Sequence, residues 1–146
     1  MSKKFYIANW KMNMLVKESE IFFKTFLSLY KSDPNKEVVF CPSFTTFPNL
    51  IDKYADVDMI LFGGQNVSSY DSGAHTGEIS ANMLKESLAR YCIVGHSERR
   101  NLYNETNREI NGKIKKLIDN SITPILCVGE KLDDRKNMRG EEIILN

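Results

Sequence analysis

Five apolar runs of strand length recur along the chain, Phe5 to Trp10, Glu37 to Pro42, Met59 to Asn66, Tyr91 to Gly95 and Thr123 to Gly129. Their starts lie roughly 20 to 30 residues apart, the spacing of one strand-helix unit. None of the runs alternates cleanly between apolar and polar residues. A strand with one wet face alternates; a parallel strand covered on both faces does not. The runs therefore predict a parallel sheet with helices packed on it.

Helical patterns fill the gaps. Phe22, Phe26 and Leu29 stand at i, i+4 and i+7, and Ile110, Ile114, Leu117 and Ile118 repeat that spacing with charged residues between them. Thr106 and Glu109 form a capping-box pattern where the second of these helices should start. Leu50 to Tyr54 and Ile79 to Leu88 predict two more helices, and a fifth is expected to begin between Gly140 and Asn146. Pro34, Pro42, Pro48 and Pro124 lie near the proposed element ends, where proline is tolerated. Two architectures accommodate the alternation: a doubly wound domain of the flavodoxin type, or the first five units of an eight-fold barrel, which needs about 250 residues. Strand spacing does not separate them.

Composition removes several function classes. Twenty Lys and Arg balance 19 Asp and Glu, a formal net charge of +1, so the basic excess expected of a nucleic-acid binder is missing. The basic pairs Lys3-Lys4, Arg99-Arg100 and Lys115-Lys116 read as solvated surface. No apolar run approaches the ~20 residues that span a bilayer, and the stretch after Lys4 is too short for a secretory signal. Cys41, Cys92 and Cys127 are odd in number and set inside apolar runs. They read as buried thiols of a cytoplasmic protein, without zinc-ligand spacing.

In both architectures functional residues gather at the carboxyl ends of the strands. Asn9-Trp10-Lys11-Met12-Asn13 closes the first run and offers a cationic donor for an anionic or carbonyl-bearing substrate. Gly63-Gly64-Gln65-Asn66 closes the third, with glycines that permit a tight turn or a close approach. The polar stretch Tyr70 to Glu78, containing His75 and Thr76, is long for a strand-to-helix loop. His75 there suits a contact residue better than a catalyst. Gly95-His96-Ser97-Glu98-Arg99-Arg100 closes the fourth run. Backbone N–H groups of a helix starting there would favour a neutral His96, which can still donate a hydrogen bond to a carbonyl oxygen. Glu98 could orient a neighbouring lysine. Each residue also has a plainer role open to it, as a surface lysine or a satisfied structural histidine. Cys127-Val128-Gly129-Glu130 closes the fifth run, where Cys127 reads as a core thiol.

Together, Asn9 to Asn13, Gly73 to Ser80, Gly95 to Arg100 and Cys127 to Glu130 resemble the triosephosphate isomerase family in order and spacing, and the resemblance spans the chain. It implies a (β/α)8 TIM barrel of which residues 1–146 are the N-terminal part of a single domain, incomplete at about five βα units. It implies interconversion of dihydroxyacetone phosphate and D-glyceraldehyde 3-phosphate through an enediolate, with no metal or cofactor. By the same resemblance Lys11 binds the substrate and stabilises its negative charge, assisted by Asn9. His96 is by the same resemblance the neutral imidazole that polarises the carbonyl. Glu98 supports the lysine, and Ser97 lies beside the base. Arg100 and Glu105 form a structural ion pair. A homodimer is implied, with the loop around Thr76 reaching toward the partner's site. His75 stands where an aromatic residue is expected. Met14 stands where many members carry glycine, which suggests a different turn after the first strand.

The family's catalytic glutamate lies at the end of a sixth strand, followed by a mobile lid and by phosphate-gripping loops. The expectation is that these 146 residues carry the electrophile half of the site without the base half, and have little activity by themselves. A positioned general base is typically worth ~10²–10⁴ in rate. Five strands would also leave two open edges, which predicts poor solubility or association. The competing expectations are a truncated, non-catalytic remnant or interaction module, and a flavodoxin-like binding domain. The last would need a glycine-rich phosphate loop after the first strand, and Asn9 to Met14 contains no glycine.

Overall fold

The computed structural model describes residues 3–58, 60–130, 132–137 and 139–141. Among them the order is β1 (Lys4–Asn9), α1 (Val16–Leu29), β2 (Lys36–Cys41), α2 (Phe47–Tyr54), β3 (Ile60–Gly64), α3 (Ala81–Glu86), β4 (Tyr91–Val94), α4 (Ser97–Leu102), α5 (Asn107–Asp119), β5 (Thr123–Leu126) and α6 (Leu132–Lys136). All neighbouring strands pair in parallel, and their spatial order is the sequence order β1-β2-β3-β4-β5. A doubly wound domain reverses its strand order partway. This sheet never reverses, so it winds in one sense, as a barrel does.

The sheet is also curled. Phe5 on β1 and Tyr91 on β4 are three strands apart in the pairing order, yet their rings meet edge to face across the concave side at 6.2 Å. The result is a half-barrel of five βα units, an incomplete TIM barrel.

Two apolar layers hold it. On the convex side Phe40, Phe62, Cys92 and Val94 pack against the helices, with Phe23, Leu50, Leu84, Ile110 and Leu117 facing them. The i and i+4 positions of α1, Phe22 and Phe26, face the same layer, but Leu29, expected there at i+7, is exposed, and Tyr30 just past the helix packs in its place. On the concave side a smaller cluster of Val39, Cys41 and Ile93 gathers Leu61, Tyr91, Ile125 and Cys127. Phe5, Tyr6 and Ile7 of the edge strand β1 are each at least 42% exposed, although they alternate between the two sides. That strand lacks a cover on either face among the described residues.

Several details depart from the periodicity. The third apolar run begins with Ile60 in the sheet, and Met59 lies outside the described residues. β5 stops at Leu126, so Cys127 to Glu130 form a loop, and Cys127 is only half-buried. Pro124 sits inside β5 opposite Cys92; β5 is an edge strand, where a missing N–H is tolerated. Of the two short helices, α4 starts after His96, where a helix start was expected, whereas α6 was not expected, being too short to establish a 3.6-residue period. Of the helix expected from Gly140 to Asn146, Gly140 and Glu141 are helical and the remainder lies outside the described residues. The capping box forms as its spacing predicts: the Glu109 N–H donates to Thr106 Oγ1 at 3.2 Å, and the Thr106 N–H donates to Glu109 Oε2 at 2.8 Å.

No described helix is long and apolar enough to cross a membrane. Burial pushes the Cys41 thiol up to about 12 and raises Cys92 as well. Both are therefore protonated, unreactive core groups near neutral pH.

Candidate active site

The strand ends line up at one rim, with Asn9 opposite Cys41, Gly64 opposite Cys92, and Val94 opposite Leu126. Residues just past these positions are brought together however far apart they lie in sequence.

Lys11 follows β1 with φ +54°, the left-handed region. A residue with a Cβ pays roughly 1–2 kcal/mol to sit there. Local hydrogen bonds offset that cost. The Lys11 N–H donates to Asn9 Oδ1 at 3.0 Å, an Asx turn that Asn9 supports by residue type. The Lys11 carbonyl accepts from Gln65 Nε2 at 2.9 Å. The turn aims the ammonium across the rim, where Nζ donates to Glu98 Oε1 at 2.6 Å over a separation of 87 residues. The hydrogen bond from Lys11 holds the Glu98 carboxyl below the usual range, with burial opposing the shift. Both side chains stay about half exposed, so the pair adds little to stability and remains reachable from solvent. Met14 takes φ +71°. Met14 packs against the convex core.

His96 caps α4. Its Nδ1 accepts from the Glu98 N–H at 3.2 Å, while the Glu98 carboxylate lies farther from the same nitrogen, at 3.5 Å. A ring nitrogen that accepts carries no proton. The neutral tautomer compatible with this bond has its hydrogen on Nε2, free to donate. The preceding Gly95 makes the turn possible. It is buried at φ +69°, and a Cβ would fall 2.8 Å from the Arg100 guanidinium and 3.0 Å from Ile110. Arg100 fills that space. Its Nε donates to the Gly95 carbonyl at 2.7 Å, one terminal nitrogen donates to Asn107 Oδ1 at 2.6 Å, and the other donates to the Cys127 carbonyl at 3.4 Å.

Arg100 is consequently not the partner of Glu105. Arg99 is, through Nε to Oε1 at 3.1 Å, and the buried Lys113 ammonium joins the same oxygen. Lys113 also donates to Asn66 Oδ1 at 2.8 Å. The correction has a helical reason: residues 99 and 100 point about 100° apart around α4, so only one of them can face the loop that carries Glu105. Burial alone would raise the Glu105 pKa, but the Lys113 and Arg99 hydrogen bonds outweigh it and hold the carboxyl low. A folded-state pKa below the unfolded value gives stability that is present above the unfolded pKa of about 4.3 and is lost as pH falls through the folded one. The urea midpoint is therefore expected to drop on acidification from pH 6 toward 3. Glu105→Gln should flatten that profile, and equal slopes in the two proteins would remove Glu105 from the account.

Asn9, Lys11, His96 and Glu98 thus share one cluster, with Ser97 exposed beside them as the first residue of α4. His75 and Thr76 do not join it within this chain. Both are exposed, and the His75 ring stacks on Tyr70 with centroids 4.0 Å apart. A separate polar cavity of about 250 Å³ opens under this loop, between Tyr70, His75, Arg99, Tyr103 and Glu105. No group of three or more potential metal ligands is gathered among the described residues. Gln65 joins the site although the pattern Gly63-Gly64-Gln65-Asn66 points first to its glycines. Its signal was a long amide side chain directly after a strand end.

The sequence model of the triosephosphate isomerase family matches residues 4–146. The chain is 44% identical over 144 residues to a triosephosphate isomerase of Dictyoglomus thermophilum, covering 99% of this chain and 57% of that protein. A triosephosphate isomerase of Clostridium botulinum is 40% identical over 137 residues, covering 94% of this chain and 54% of its own length. One from Aquifex aeolicus is 43% identical over 129 residues, covering 88% and 52%. The chain therefore spans a little over half the length of these curated relatives.

Proposed function

Because this chain belongs to the triosephosphate isomerase family, we propose that it supplies the electrophile side of an isomerase site. The reaction is the interconversion of dihydroxyacetone phosphate and D-glyceraldehyde 3-phosphate by proton transfer through an enediolate. The observation that carries the reading is the His96 hydrogen bond: with Nδ1 occupied as an acceptor, Nε2–H is the group left to donate to a substrate carbonyl.

Each residue then has a task. His96 Nε2–H polarises the carbonyl as a base removes the proton from the adjacent carbon. The oxygen gains negative charge, and His96 passes a proton between the two substrate oxygens as the enediolate rearranges. Lys11 draws the anionic substrate in and stabilises the developing charge. Asn9 fixes the Lys11 turn, and Glu98 holds the ammonium in place before substrate arrives. Glu98 is a poor choice for the base, since Lys11 keeps its carboxyl low and a low pKa means weak proton affinity. Glu130 is engaged by Arg135 at 3.1 Å. The base is thus proposed to come from outside these residues, as the family's sixth-strand glutamate. The domain is one barrel with residues 1–146 as its N-terminal part. The protein is a cytoplasmic homodimer whose Gly73 to Ser80 loop, carrying His75 and Thr76, reaches the partner. No cofactor, nucleic acid or membrane is involved.

A coupled isomerase assay tests this. The 146-residue chain is expected to turn over no faster than the identically purified Lys11→Ala protein. Activity well above that control would mean that the chain recruits a base from within itself, and the assignment of the base would fail.

A further inference from the structure

We propose that Gln65 is the positioning residue for Lys11, a role that rests on the isomerase reading and adds a residue to it. Gln65 follows β3, yet its side chain serves the two strands beside it. Nε2 donates to the Lys11 carbonyl at 2.9 Å and to the Cys41 carbonyl, also at 2.9 Å. The Cys41 carbonyl in turn accepts from the Trp10 N–H at 3.1 Å, the last backbone rung between β1 and β2.

The orientation of the amide follows from chemistry. Both partners are carbonyl oxygens, which only accept, so the NH2 group must face them; the flipped amide would set three oxygens against one another. One NH2 group has two protons and here has two acceptors. It extends the sheet by one side-chain rung, from the end of β3 across β2 to the residue after β1.

That residue is the one held at positive φ. Asn9 fixes its N–H, and Gln65 fixes its carbonyl. The two bonds together determine the peptide planes on either side of the Lys11 Cα and hence the direction of its side chain. The Nζ bond to Glu98 cannot replace them, because substrate competes for the same ammonium. Gln65 touches no reacting atom in this arrangement. It acts through Lys11.

The test uses the full-length protein, which carries the proposed sixth-strand base, with 15N-labelled lysine and glutamine, its Lys11 amide assigned through Lys11→Arg. In the unmutated protein both Gln65 side-chain amide protons should exchange slowly with water; fast exchange of both overturns the proposal without any variant. Gln65→Met keeps the length of the side chain and removes both donors, and Gln65→Ala removes the side chain. In either, the Lys11 three-bond N–H to Hα coupling should leave its left-handed value. kcat/KM should fall by ~10-fold, mainly through KM, as a displaced binding group would produce. A lower melting temperature with unchanged Lys11 coupling and unchanged KM would mean that Gln65 only stabilises the fold. If the full-length protein, with the proposed sixth-strand glutamate present, shows no isomerase activity, the functional reading fails, and the coupling and exchange data still decide the positioning.

Discussion

On the proposed isomerase reading, Lys11→Ala is expected to lower kcat/KM of the full-length protein by ~10²–10³, about 2.7–4 kcal/mol of transition-state stabilisation. The ammonium is the cation that the structure aims across the rim at Glu98, whose carboxylate also lies 3.5 Å from His96 Nδ1. Removing it takes away attraction for a dianionic substrate and for the charge that develops on the enediolate. Both KM and kcat should suffer, because the charge is present in the ground state and grows in the transition state. The fold should be little affected. The Lys11–Glu98 pair is half exposed, and alanine at a left-handed position is strained no more than lysine is. Glu98 should lose its depressed pKa, since Lys11 is the first cause of that depression. A steady-state comparison at fixed pH and ionic strength checks the rate. A loss below threefold would remove Lys11 from the chemistry.

Phe23→Ala should cost ~3–5 kcal/mol of stability, the usual range for deleting a fully buried aromatic side chain. Phe23 is 0% exposed, and its ring centroid lies 4.7 Å from Tyr54, 4.8 Å from Phe40, 5.6 Å from Phe62, 5.7 Å from Phe22 and 5.9 Å from Trp10. It joins α1 to α2, β2 and β3 in one stack. The loss is large here for a further reason. β1 is exposed on both faces, so α1 depends on this aromatic cluster to stay on the sheet. A melting temperature lower by roughly 10 °C is expected, taking about 2–4 °C per kcal/mol for chains of 150 residues and above. A shift under 3 °C would mean that the neighbouring rings close the cavity.

How far the sequence reached is clearest at particular residues. Thr106 and Glu109 foretold a helix start because a capping box is local: both partners lie within one turn. The parallel sheet was legible in the unbroken apolar runs, since burial on both faces suppresses alternation. α6 was not, because one or two turns carry no period, and α4 was legible only as a helix start after His96. The choice of Arg99 over Arg100 for Glu105 was also invisible, because it depends on where α4 starts to turn, and the two side chains are chemically identical. Lys11, His96 and Glu98 were recognisable by type and by family pattern. The Lys11–Glu98 meeting was expected only through the resemblance, since strand ends 87 residues apart come together through sheet register and not through any local pattern.

The sequence by itself determined the strand-helix alternation, the helix caps, the apolar faces and the family. All of these depend on near neighbours or on residue identity. Only the tertiary structure decided that the sheet winds one way and curls until Phe5 meets Tyr91. It also decided that a glutamine after β3 holds the backbone of a lysine after β1, and that His96 Nδ1 accepts from the Glu98 N–H. Those outcomes depend on distances between residues far apart in the chain, which no local pattern specifies until packing sets them.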